Sequence, residues 1–194
     1  MATTDPSCFE AENLEDLAVC PNDELQSGLS EVNIYYILED HIDKMVVPPP
    51  AGTYEEAGTI TDDIVPKTGK GFARFRAMVN ENELTDGLTG NTGNMKLQTS
   101  LEFFMSKLEP KIQGFKRKFR NSGFVFIVID RNGTKFAVGN LLNPAYMTQA
   151  NGTTGRTGED NTGTAFILTS DSPLLVYEGT IPRITPPAGG GGGV

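Results

Sequence analysis

The stretch that most constrains this chain is Phe124-Val125-Phe126-Ile127-Val128-Ile129, six consecutive apolar residues rich in β-branched and aromatic types. Such a run is expected of a strand buried on both faces, so it requires structure on either side of it. Just ahead of it, Pro110 falls in the first turn of a helix, where proline is tolerated, and Ile112, Phe115 and Phe119 recur at spacings of three and four. One face of that helix is therefore apolar, and the other carries Lys111, Lys116, Arg117, Lys118 and Arg120. Asn121-Ser122-Gly123 ends it. After the apolar run, Asp130-Arg131-Asn132-Gly133 supplies a turn in which Asn and Gly accept positive φ, and residues 134–138 return as a partner strand. Residues 109–140 thus spell out a helix packed on a sheet.

The remaining segments read mostly as strands. Residues 31–38 are dense in Val, Ile and Tyr, 40–45 suit a helical turn, and Pro48-Pro49-Pro50 makes a stiff connector. Strands are expected at 58–65 and 72–79, the latter with Arg74 and Arg76 on one face and Ala73, Phe75 and Ala77 on the other. Residues 80–94, polar and rich in Gly, Asn and Thr, read as a long loop. Residues 95–105 alternate over their whole length, as a strand with one buried face does. Residues 141–147 read as a surface crossing and 151–163 as a segment with little structure of its own. Strands at 164–169 and 174–181 are expected to form a terminal hairpin. The sum is a mainly β fold, a sandwich or barrel of about eight strands, with one packed α-helix (109–121), a long loop and an extended N-terminal arm. The expected organisation is an acidic arm (1–30), a single β-rich domain (31–183) and a flexible Pro/Gly tail (184–194).

Charge and chemistry narrow the function. Residues 1–45 hold eleven acidic side chains and one basic, a net of −10, while 46–194 hold fourteen acidic and fifteen basic, a net of +1. An acidic arm of this kind, including Glu10, Glu12, Glu15 and Asp16, is suited to a basic surface on the same or a neighbouring molecule. Cys8 and Cys20, separated by eleven intervening residues, with a lone His41, assemble no tetrahedral metal set, and reduced thiols are expected where no basic and apolar export signal is visible. Thr68-Gly69-Lys70-Gly71 lacks the spacing of a phosphate-binding loop. Glu81, Glu83 and Asp86 lack the alternation of a calcium loop. No serine sits in a Gly-x-Ser-x-Gly elbow, so no catalytic residue and no cofactor is expected. The six-residue apolar run is far short of a membrane span.

The order of strand (95–105), helix (109–121), strand (124–130), tight turn, strand (134–139), Gly/Thr loop (151–163) and terminal strands (164–181) resembles the major tail, or tail tube, proteins of tailed bacteriophages. It is most similar to the short versions carried by phages and prophages of Bacteroidota. The residues that carry the likeness are Asp130-Arg131-Asn132-Gly133-Thr134-Lys135, Val138-Gly139, Thr154-Gly155-Arg156-Thr157-Gly158 and the closing strand with Tyr177. It covers 58–181. The resemblance implies a virion protein, assembled in the host cytoplasm, that forms rings, commonly hexameric, stacked around a channel in which DNA is non-specific cargo. Its expected partners are further copies of itself and other tail or neck proteins. The 80–94 loop and the acidic arm would supply contacts between rings, the arm meeting the basic helix face.

Four other readings compete, one of them a secreted or cell-surface sandwich, against which the lack of a visible export signal counts. A neck, tail-terminator or head-tail ring protein would share the fold. A nucleic-acid module would use the basic helix, although Phe115 and Phe119 face away from that surface. An enzyme is the weakest, since Asp62-Asp63 has no site around it.

Overall fold

A computed structural model describes residues 27–157 and 159–184. Strand β1 (Leu29–Leu38) leads through a 3-10 turn at Glu39–His41 into the short β2 (Ile42–Lys44). Helix α1 (Tyr54–Gly58) follows, then β3 (Thr59–Ile60), β4 (Val65–Pro66) and β5 (Ala73–Phe75). The long pair β6 (Glu83–Asn91) and β7 (Asn94–Ser106) precedes helix α2 (Pro110–Phe119). The chain closes with β8 (Gly123–Asp130), β9 (Lys135–Val138), β10 (Ala145–Thr153), β11 (Gly163–Ser170) and β12 (Leu175–Tyr177). Ten strands belong to one sheet, ordered β3-β12-β9-β8-β10-β11-β7-β6, with β1 bridging β8 and β5. All pairings in it are antiparallel except β12 with β3.

The apolar run is the centre of this arrangement, as expected: every residue from Gly123 to Val128 is buried. Because side chains alternate across a strand, β8 feeds two cores. Phe124, Phe126 and Val128 pack with Ile34, Phe75, Leu101, Phe103 and Phe166, and α2 caps this layer through Ile112, Phe115 and Phe119. Val125 and Ile127 pack on the other side with Ile37, Ile60, Ile64, Phe72 and Tyr177. The first core is ring-rich: Phe75 lies within 5.1–5.2 Å of both Phe103 and Phe115, and Phe119 lies 5.2 Å from Phe115. These offset and edge-on contacts add to simple burial.

The sheet curls back on itself. β8 carries β1 on one side and, at its first two residues, β10 on the other, so β1 and β5 come round toward β7. There the Met78 N–H donates to the Phe104 carbonyl at 2.7 Å, and β5, β1, β8, β10, β11 and β7 enclose the first core as a small barrel. The β8–β10 seam needs Gly139, whose φ is +82°. A Cβ there would sit 2.7 Å from the Ala145 nitrogen and 2.9 Å from the Phe124 carbonyl oxygen, closer than any side chain is tolerated.

Several expectations are corrected. Residues 80–94 are not a loop: β6 runs from 83 to 91 in an unbroken ladder with β7, from Glu83↔Glu102 to Asn91↔Asn94. Poor strand propensity in this Gly/Thr/Asn stretch is overridden by the ladder and by the two-residue turn at Thr92-Gly93, where Gly93 takes φ +84°. The 58–65 strand is instead the last residue of α1, the two-residue β3 and the first residue of β4, with 61–64 in no strand. Thr53 and Glu56 form a reciprocal capping box, a Thr-x-x-Glu signal that was present in the sequence. The 72–79 strand shortens to β5, though the alternation holds, with Arg74 and Arg76 exposed and Phe75 and Ala77 buried. β10 takes residues 145–147 of the expected crossing and 151–153 of the expected loop, and most of the latter stands as a loop before β11. The expected terminal hairpin does not form: β11 pairs with β10 and β7, whereas β12 pairs with β9 and β3. Between them the chain changes direction, with the Ser172 carbonyl held by the buried Thr99 hydroxyl at 2.9 Å. Twelve strands are present among the described residues, against about eight expected.

Candidate assembly surfaces

Three surfaces stand out, two of them at segments to which the sequence points. The first is α2. Proline at its first turn and three basic residues in its last turn, where the helix carbonyls favour cations, explain why the helix forms here and why it is charged as it is. Burying Ile112, Phe115 and Phe119 turns Lys111, Arg117, Lys118 and Arg120 to solvent, while Lys116 is half-buried beside Gly152. Among the described residues, the ion pairs are Lys44–Asp62 and Lys96–Asp171, so none of these five cations is paired with a described carboxylate.

The second surface is the β6–β7 hairpin. Near its base, Leu84 and Leu101 pair and pack on the first core. Beyond Thr99 the ladder continues outward with both faces open: residues 85–91 and 94–98 are all exposed. The expected one-sided burial of 95–105 therefore holds only from Thr99 onward, and Leu97 (41%) and Met95 (49%) stand exposed, as does Leu88 (65%). Leu88 and Leu97 are cross-strand partners. β6 is also the last strand of the sheet, so its outward edge has no ladder partner among the described residues. A two-stranded ribbon open on both faces is marginal by itself, and a nine-residue edge without proline is a template for another strand.

The third surface was not legible in the sequence. Glu81, Glu83, Glu102 and Asp130 converge with Asn80 and Asn82 on an open cleft of about 670 Å³, floored by Leu29, Leu84, Phe136 and Leu174. Glu83 and Glu102 stand directly opposite each other in the β6–β7 ladder, a like-charge pairing that costs stability. The Asn82 amide donates to the Met78 carbonyl at 2.8 Å, and its Oδ1 is buried with no donor among the described residues. Arg131 lies at the rim, its Nη2 donating to Asn80 Oδ1 at 2.6 Å. Asp86, expected to act with Glu81 and Glu83, lies instead on the outer hairpin opposite Thr99. Glu10, Glu12, Glu15 and Asp16 lie outside the described residues, and with them the expected pairing of the arm with α2.

The basic helix face and this acidic cleft are not brought together in one molecule. α2 ends where β8 begins, and Asp130 is at the far end of β8, seven residue steps or roughly 23 Å away.

The shifted ionisable groups serve the framework rather than these surfaces. Asp63 is held below the usual carboxylate range because its Oδ1 accepts from both the Thr180 N–H (2.6 Å) and the Thr180 hydroxyl (3.0 Å). Asp160 is lowered in the same way by the Arg156 and Thr157 N–H groups, which pins the 154–162 loop. Burial raises Tyr177, whose hydroxyl accepts from the Ile64 N–H and donates to the Thr180 carbonyl. Among the described residues no three His, Cys, Asp or Glu side chains are placed to share a metal ion, and no helix is long and apolar enough to cross a membrane.

Compared with family models, curated proteins and solved structures, the chain matches none. Its class rests on its own geometry: a mainly β protein with a large mixed sheet and a packed helix.

Proposed function

We propose that this protein is a structural subunit of a tailed-bacteriophage virion that assembles with copies of itself into stacked rings, forming a tail tube through which DNA passes. The observation that carries the reading is the β6–β7 hairpin, which projects from the barrel with an edge unpaired among the described residues and an exposed Leu88–Leu97 pair. Such an edge is an aggregation hazard in a free monomer and becomes an asset when a neighbour covers it. The order of elements around α2 and β8 supports the same family reading. The ring number expected from the resemblance is six, and neighbouring tail or neck proteins are the other partners.

Negative-stain microscopy and light scattering of the purified protein test this. Rings or tubes are expected. A connector of the neck or tail end would stop at single rings, and a monomer persisting at high concentration would remove the proposal.

A further inference from the structure

We infer that the acidic cleft at one end of β8 receives the basic face of α2 from a second copy, so that subunits join head to tail through opposite charges. This rests on the self-assembly proposed above and names the contact that drives it. The two surfaces match in sign and are separated within one chain by the length of β8, so neither satisfies the other internally. Each is also incomplete alone. Among the described residues, the Glu83–Glu102 juxtaposition lacks a bridging cation, the Asn82 Oδ1 lacks a donor, and none of Lys111, Lys116, Arg117, Lys118 and Arg120 is in an ion pair.

A two-fold dimer would use one patch on both partners; here the patches differ and lie at opposite ends. A head-to-tail contact between patches at opposite ends closes into a ring if its rotation closes and otherwise leaves a free cleft at one end of the assembly and a free helix at the other. The open form extends in one direction, as a stack requires. Lys and Arg over a carboxylate pair also steer the encounter and reject like-charged approaches.

The test uses full-length protein in sedimentation velocity. Glu81→Lys, Glu83→Lys and Glu102→Lys together should weaken self-association by at least about tenfold, as should Lys116→Glu, Arg117→Glu and Lys118→Glu together. Mixing the two variants one to one should restore assembly, because each then offers the surface that the other lacks. Restoration also shows that both variants are folded. The inference is overturned if either triple variant associates like the unaltered protein, or if the mixture stays as dissociated as its parts. It is equally overturned if replacing Glu10, Glu12, Glu15 and Asp16 by Lys abolishes association while the cleft variant assembles normally, since the arm would then be the partner. An unaltered protein that never associates removes the assembly proposal itself, an outcome distinct from intact assembly with an indifferent cleft.

Discussion

Leu88 and Leu97 face each other across the β6–β7 ladder on a part of the hairpin that touches neither core, and both are open to solvent, at 65% and 41% exposure. An apolar cross-strand pair contributes most when water is excluded from it. In the isolated subunit it contributes little, so its value lies in what covers it.

Changing both residues to Asn should leave the subunit's stability within about 0.5 kcal/mol, as for surface positions generally, while reducing assembly. Thermal unfolding of the dissociated protein and sedimentation of the concentrated protein report these separately. A large loss of melting temperature with intact assembly would show that the pair belongs to the fold.

Phe126 is fully buried and contacts Tyr36, Phe75 and Phe124 in the ring-rich core. Phe126→Ala should cost about 3–5 kcal/mol, from lost transfer energy plus the cavity left behind. Urea unfolding checks this, and a cost under about 1 kcal/mol would mean that β8 is not the centre of the core.

Tyr177→Phe keeps the buried ring and removes the hydroxyl that joins Ile64 to Thr180 across the second core. The Ile64 N–H and Thr180 carbonyl would lose that partner, at a cost of about 1–3 kcal/mol. Amide exchange at Ile64 should accelerate relative to β8.

Asp63 titrates lower in the folded protein than in the unfolded chain because the Thr180 N–H and hydroxyl bind its charged form. Its stabilisation is therefore fully present above the unfolded value near pH 4 and is lost as the pH falls through the lower folded value. The melting-temperature gap between the unaltered protein and Asp63→Asn should be largest at neutral pH and shrink toward pH 3. A gap that widens on acidification would contradict the assignment.

If the basic face of α2 serves protein contacts, duplex DNA should not be retained by it at about 0.15 M salt. A gel-shift complex that persists there, and weakens by orders of magnitude as salt is raised, would favour the nucleic-acid reading instead.

The parts of this fold legible from sequence are those set by near neighbours. The 3.6-residue spacing of Ile112, Phe115 and Phe119 and the unbroken run at 124–129 specify a helix with one apolar face and a strand buried twice, and both stand as expected. The expectations that failed concern partners. The 80–94 segment has weak strand propensity, and only the ladder supplied by β7 makes it a strand; β11 and β12 are adjacent in sequence yet pair on different parts of the sheet.

By itself, then, the sequence determined which segment is core and which helix face is charged, because those depend on spacings of two to four residues. The tertiary structure decided where the sheet ends, which hairpin projects, and that Glu81, Glu83, Glu102 and Asp130 share one cleft at the far end of β8 from α2. These outcomes depend on strand register and barrel closure between residues dozens of positions apart, and no local pattern records which strand edge will find a partner.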